Sequence, residues 1–233
     1  KKEESDAQKL AQFIDHTILK PDATKDDVRK VCKEALQYNF KTVCVNSHMV
    51  AFAAEILKAS PTECCPIPIA VVGFPLGAGL SSAKAFEAKK ALEDGAKEID
   101  MVINIGRLRE RDYKYVLEDI QAVVNASRPY PVKVILETCL LTEEEKIIAC
   151  ALCKAAGAAF VKTSTGFSKG GATTSDIKLM NRVAKGMGIK ASGGIRSRED
   201  AISMIEAGAT RIGASKSIQI VTGAVGKVSE GTY

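Results

Sequence analysis

Short runs of apolar, mostly β-branched residues return at nearly even intervals along the chain, and this periodicity restricts the fold more than any single motif does. The runs are Phe13–Asp15, Thr42–Val45, Ile69–Val72, Ile99–Ile103, Val132–Leu136, Phe160–Thr163, Ile189–Ser192 and Arg211–Ala214. The gaps carry stretches of helical period, such as Ala83–Asp94 and Tyr115–Ala126. Three predicted helices end alike, on Asp94-Gly95-Ala96, Ala156-Gly157-Ala158 and Ala207-Gly208-Ala209, each shortly before a strand. Glycine there can take the left-handed conformation that stops a helix. Strands alternating with helices imply parallel pairing through right-handed crossovers. Eight such units in 233 residues predict an α/β chain folded as one (β/α)8 TIM barrel over residues 1–233, a fold of typically about 250 residues, preceded by an extra helix at Ala7–Gln12. The alternative is an open doubly wound sheet. It has fewer strands and often a phosphate loop in its first unit, and no G-x-G-x-x-G or Walker loop occurs here.

Hydrophobic residues form 46% of the chain, enough for a large core, and the net charge of +5 suits an anionic small molecule without demanding nucleic acid. The basic runs are dispersed and there is no Trp for base stacking, so nucleic acid is not expected as a partner. No apolar run approaches the roughly 20 residues of a membrane span. Seven cysteines, odd in number and irregular in spacing, with no secretory signal opening the chain, predict a reduced, cytoplasmic protein. Cys150 and Cys153 have C-x-x-C spacing, but they fall at core-facing positions of the helix predicted over Glu143–Ala156, which favours packing over redox chemistry.

Chemistry in such a barrel sits at the C-terminal ends of the strands. Lys162 interrupts the apolar run Phe160-Val161-Lys162-Thr163, and Lys190 interrupts Ile189-Lys190-Ala191 one unit later, on what should be the neighbouring strand. A buried ammonium is disfavoured by desolvation, and a lysine freed of its proton attacks carbonyls to form an imine. Two ammonium groups about 6 Å apart repel by about 3 kcal/mol at an effective dielectric of about 20, which would lower one pKa by about two units. Alternation along Glu98–Asn104 turns Asp100, Val102 and Asn104 to one face, so Asp100 should enter the barrel and pair with these lysines. A lysine snorkelling at the rim and an ion pair without catalysis are the structural alternatives.

Ser192-Gly193-Gly194 follows the seventh strand, Gly213-Ala214-Ser215 forms the end of the eighth, and Gly166 follows the sixth. The loops after strands 7 and 8 are the usual phosphate site of such barrels. With only His16 and His48, and no H-x-H or H-E-x-x-H, no metal site and no cofactor is expected.

These strings, together with Ile14-Asp15-His16-Thr17, Val43-Cys44-Val45-Asn46, Gly73-Phe74-Pro75-Leu76-Gly77 and Glu137-Thr138-Cys139, closely resemble the deoxyribose-phosphate aldolase family from about Phe13 to Ile220. The resemblance implies a class I aldolase that reversibly cleaves 2-deoxy-D-ribose 5-phosphate to acetaldehyde and D-glyceraldehyde 3-phosphate, and a homodimer. By position it makes Lys162 the Schiff-base lysine, Lys190 its pKa modulator and proton relay, and Asp100, acting with a water, the general acid/base. Thr17, Thr165 and Asp15 would touch substrate hydroxyls or order the relay, and Gly166, Gly193, Gly194 and Ser215 would hold the phosphate. Cys44 would sit at the site mouth, with simple packing as the alternative. Phe167 departs from the pattern, since some members carry a phosphate-assisting lysine there, and Lys169 and Lys216 are the candidate replacements. Tyr233 matches a C-terminal tyrosine whose tail reaches the site in the family, or else it is a disordered end. Two rival functions stay open: a lysine-dependent aldolase with another donor, and a non-catalytic phosphate-binding barrel.

Overall fold

The computed structural model describes residues 6–58 and 66–223. Tyr233, Cys64 and Cys65 lie outside them. In chain order the elements are α1 (Asp6–Ala11), β1 (Ile14–Thr17), α2 (Lys25–Tyr38), β2 (Thr42–Asn46), α3 (Val50–Lys58), β3 (Ile67–Val72), α4 (Ser81–Glu93), β4 (Glu98–Val102), α5 (Ile105–Arg109), α6 (Tyr113–Ser127), β5 (Val132–Ile135), α7 (Glu143–Ala155), β6 (Phe160–Lys162), α8 (Thr174–Val183), β7 (Gly188–Ser192), α9 (Arg198–Glu206), β8 (Arg211–Ala214) and α10 (Ser217–Thr222). The eight strands pair in parallel, in sequence order, and β1 closes on β8, so the sheet is a barrel and the open-sheet alternative falls away.

The three repeated glycines act as expected. Gly95, Gly157 and Gly208 have φ of 114°, 83° and 119°. At each, the glycine N–H reaches back into the last helical turn (to Leu92, Lys154 and Ile205), and the following N–H reaches one residue further back (to Ala91, Cys153 and Met204). These bonds satisfy carbonyls that the helix end would orphan. At the other helix ends, Thr24 with Asp27, Thr142 with Glu145 and Ser197 with Asp200 form capping boxes.

The strand limits shift most at β1, which was expected over Phe13–Asp15 and runs to Thr17. His16 is polar yet belongs to the outer face. It packs on Phe40, and its ring nitrogens meet Ser217 Oγ and Glu34 Oε2, each at 2.8 Å.

Strand alternation divides the molecule into two interiors. Outward residues such as Val43, Ala70, Ile99, Met101, Val134, Val161, Ile189 and Ile212 join the helices in one large apolar core. Inward residues split by side. Cys44, Ile69 and Val71 on β2 and β3 form a small apolar cluster with Leu19, whereas β4 to β8 and β1 send in Glu98, Asp100, Lys133, Lys162, Lys190, Arg211 and Asp15, all buried. Cys150 and Cys153 are buried on α7 with free thiols pushed up by burial, so this C-x-x-C pair belongs to the core.

Phe160 lies over the charges at the base of the barrel, 5.7 Å from Lys133 Nζ and 5.3 Å from the Arg211 guanidinium. It fits because its register partner is Gly188, where a Cβ would fall 2.2 Å from the ring. Gly188→Ala should therefore destabilise the barrel by about 1–3 kcal/mol through overpacking. A thermal melt should show a Tm lower by several degrees, and an unchanged Tm would mean that Phe160 has room to move.

Candidate active site

The register of β6 and β7 makes Lys162 and Lys190 direct neighbours. One carboxylate oxygen, Asp100 Oδ2, stands 2.9 Å from Lys162 Nζ and 2.7 Å from Lys190 Nζ. The other, Oδ1, accepts from Lys133 Nζ at 2.8 Å. Lys190 Nζ also meets Asp15 Oδ2 at 2.5 Å. Asp15 Oδ1 in turn accepts from Arg211 Nη1 at 2.9 Å and from Thr42 Oγ1 at 2.8 Å. Arg211 grips Glu98 with both Nη atoms, at 2.8 and 3.2 Å, and Lys133 completes the ring onto Glu98. Lys190 reaches its partners because Gly213 stands beside it on β8, where a Cβ would lie 2.9 Å from Lys190 Cε.

The expected trio is thus brought together, within a network of seven charges. Lys133, Glu98 and Arg211 were not singled out from the sequence. Lys133 carried the same signal as Lys162, a lysine flanked by valines in a short strand, at the parity that points inward.

The network has four basic and three acidic members, so full ionisation leaves one positive charge in excess where water is excluded. Arg211 cannot give up its proton. Lys133 and Lys190 each touch two carboxylates, whereas Lys162 touches only Asp100 and shares it with the other two lysines. Lys162 is therefore the member whose proton is held most weakly.

The pKa directions agree. Burial, the largest influence on Lys162, lowers its pKa; Asp100 opposes, Lys190 lowers it further, and the result lies below the ordinary lysine value. The repulsion expected from Lys190 is thus present but second to desolvation. Burial would also lower Lys190, but Asp100 and Asp15 overturn that and raise it, so Lys190 stays an ammonium. Burial would raise Asp100 and Asp15. Lys133, Lys162 and Lys190 instead hold Asp100 well below the carboxylate range, while Lys190, Lys133 and Arg211 hold Asp15 at about 2. Burial pushes the Cys44 thiol up to about 11, so it is a protonated packing group of the barrel wall.

The residues expected to hold a phosphate also converge. A cavity of about 300 Å³ opens beyond β6, β7 and β8, lined by Gly166, Gly193, Gly194 and Ser215 together with Lys169, Arg196 and Lys216. Both candidate replacement lysines therefore border it. So does Arg196, which the sequence left without an expected role. Gly193 has φ 88°, which disfavours a side chain, and a Cβ there would press Gly171 Cα at 3.0 Å. Gly194 has φ 79° and faces open space. Phe167 stands edge-on to Phe74, with ring centroids 5.2 Å apart, as an apolar wall of this cavity. The two threonines are buried and internally bonded. Thr17 Oγ1 donates to Asp15 O at 2.8 Å, and Thr165 Oγ1 donates to Glu137, which belongs to the family-like string Glu137-Thr138-Cys139 but had no expected role.

The family model for DeoC/LacD family aldolase matches residues 9–227. The chain belongs to this aldolase family. A deoxyribose-phosphate aldolase of Clostridium perfringens is 60% identical, over 98% of this chain and all of that protein. The one from Thermococcus gammatolerans is 57% identical, over 92% of this chain and 96% of its own length. Among solved structures, a putative deoxyribose-phosphate aldolase from Coccidioides immitis superposes with a TM-score of 0.90 at 41% identity, covering 94% of this chain and 87% of its own. The Aeropyrum pernix deoxyribose phosphate aldolase, described as having a unique tetrameric structure, gives 0.85 at 33%, covering 93% and 91%. Among the described residues of this family member, no helix is long and apolar enough to cross a membrane, and no group of three or more His, Cys, Asp or Glu is placed to hold a metal.

A lysine can attack a carbonyl only when neutral, so with Lys162 as the nucleophile expected from the sequence, its lowered pKa would move the rising limb of the activity profile toward lower pH. Both nitrogens touch one oxygen, so they are closer than the roughly 6 Å assumed from strand spacing. Lys190→Leu removes the repulsion and leaves Asp100 Oδ2 to Lys162. The rising limb should then move up by about two pH units, with activity partly recovered at high pH. If the variant stays equally inactive at every pH, Lys190 carries a proton itself.

Proposed function

We propose that the chain is a deoxyribose-phosphate aldolase, with Lys162 forming the Schiff base. The observation that carries this reading is the contrast between two adjacent lysines on one carboxylate, Lys162 undercompensated and Lys190 doubly paired. Groups whose environments push their protonation apart are suited to different roles.

The neutral Lys162 amine adds to C1 of the open-chain sugar and loses water to give an iminium. Removal of the proton from the C3 hydroxyl breaks the C2–C3 bond and releases D-glyceraldehyde 3-phosphate, the electron pair passing into the enamine. A proton returns to C2, and water then frees acetaldehyde and Lys162. Lys190, a fixed ammonium, preserves the positive field that favours the neutral form of Lys162. Asp100 is ionised at rest and faces the iminium charge, so it acts first as counter-ion. Three lysines make it a weak base, and a water beside it would carry the proton to and from C2. The phosphate is held by Gly166, Gly193, Gly194 and Ser215, with Lys169, Arg196 and Lys216 supplying positive charge. A homodimer and a cytoplasmic location are proposals that accompany this reading.

Borohydride reduction of the protein with acetaldehyde, in buffer containing EDTA, should leave a stable adduct on the peptide from Phe160 to Phe167. An adduct confined to Lys190 or to surface lysines would overturn the assignment. A requirement for added zinc would overturn the class I mechanism. Supplying dihydroxyacetone phosphate in place of acetaldehyde should give no aldol product, which separates this reading from an aldolase with another donor.

Gly194→Asp sends a carboxylate into the open cavity without a steric clash. Asp tolerates a positive φ better than most residues do. The KM for the phosphorylated sugar should rise by about tenfold or more, since like charges at close range repel by a few kcal/mol even when partly screened. Cleavage of unphosphorylated deoxyribose should change much less, and equal losses on both substrates would place the phosphate elsewhere.

A further inference from the structure

Glu137 combines three features that packing alone does not require. It is 3% exposed, yet it carries a carboxylate. Its backbone is left-handed, φ 56° and ψ 62°, a region that favours glycine or asparagine. Its two carboxylate oxygens accept from both hydrogen-bond donors of a single residue, Thr165: the main-chain N–H at 3.3 Å, and the hydroxyl through a short bond. The neighbouring backbone is tied to the same strand, with Leu136 N bonded to Lys162 O at 2.9 Å and Thr138 N to Thr163 O at 3.0 Å. Glu137 therefore stands on a fixed base and holds the segment that runs from Lys162 to the cavity-lining Gly166.

We propose that Glu137 is a positioning residue for the sugar-phosphate site, fixing which way the Thr165 hydroxyl proton points so that Thr165 meets the substrate as a hydrogen-bond acceptor. A hydroxyl has one proton and two lone pairs. The proton goes to Glu137, and one lone pair accepts from Phe167 N at 3.0 Å. The second lone pair is then suited only to a donor. Thr165 lies along the chain between Lys162 and Gly166, as the sugar's C3 and C4 hydroxyls lie between its carbonyl and its phosphate. Burial raises the Glu137 carboxyl above its usual range, while the two bonds from Thr165 and the charge of Lys162 oppose this, so the contacts that orient Thr165 also favour the ionised form. This inference rests on the aldolase reading above, because it needs the sugar to lie between Lys162 and the phosphate cavity.

Glu137→Gln separates orientation from mere presence. The Gln carbonyl can still accept the Thr165 N–H, but its amide must donate to Oγ1. The Thr165 proton is then turned away, toward the place of the substrate hydroxyl. The kcat/KM for 2-deoxyribose 5-phosphate should fall by about 10- to 100-fold, the range for a mismatched buried hydrogen bond. Inhibition by inorganic phosphate and borohydride trapping of acetaldehyde on Lys162 should stay as in the parent. In a Thr165→Val background the same Glu137→Gln change should cost nothing further, since its effect runs through the hydroxyl. Glu137→Gly, which the left-handed backbone accommodates, should in addition weaken phosphate inhibition by loosening the Thr165–Phe167 turn. Parent-like kcat/KM in Glu137→Gln, or an undiminished loss in the Thr165→Val background, overturns the proposal. So does loss of trapping in Glu137→Gln, which would make Glu137 a support for Lys162 itself. Failure of the parent protein to trap acetaldehyde would instead overturn the Schiff-base reading, and the variants would then be compared on phosphate inhibition, where a parent-like Glu137→Gly also sinks the proposal.

Discussion

Asp100 gathers three lysine ammonium groups onto its two oxygens at the centre of a closed barrel, and much of the remaining interior is arranged to make that arrangement tolerable. A lone carboxylate there would be neutralised by desolvation, and three lysines without it would lose protons. Glu98, Asp15 and Arg211 extend the pairing outward until every charge but one has a second partner. The exception is Lys162. Its weakly held proton follows from an imbalance in a network rather than from one special contact, and the imbalance is structural, because Arg211 fixes one positive charge that no proton transfer can remove.

Much of this was legible in the sequence. Eight apolar runs and three Gly-terminated helices specify the barrel because short buried parallel strands and left-handed helix stops have strong local signatures. Lys162, Lys190 and Asp100 stood out because each interrupts an apolar strand. Lys133 did so equally. It was overlooked because a single lysine in Val132-Lys133-Val134-Ile135 reads as a rim residue until the parity of β4 is laid beside that of β5, where Asp100 and Lys133 are register partners. Glu98 and Arg211 open their strands and so read as flanking surface charges. Glu137 sits in a loop, and its role depends on a backbone angle and on Thr165, 28 residues away, neither of which a linear pattern exposes. His16 shows the converse failure: a polar residue extends β1 because its partners arrive from α2 and α10.

The distribution of inward residues also orients the reaction. The β2–β3 wall is apolar, made by Cys44, Ile69 and Val71, while the lysines come from β5, β6 and β7 and the cavity glycines from the loops after β6, β7 and β8. On the proposed reading, a five-carbon sugar bound through both ends lies along the β6–β8 side, its carbonyl inward at Lys162 and its phosphate outward. The loops that line the cavity are locked to each other below it. Thr163 Oγ1 donates to Ser192 O at 3.0 Å and accepts from Ser192 N at 3.1 Å, and Ala172 N reaches Gly193 O at 3.0 Å. The proposed anion site and the proposed nucleophile thus sit on one tied unit, so on that reading phosphate binding fixes where the carbonyl falls. That is the geometric condition under which binding energy from a remote group can be used at the reacting carbon.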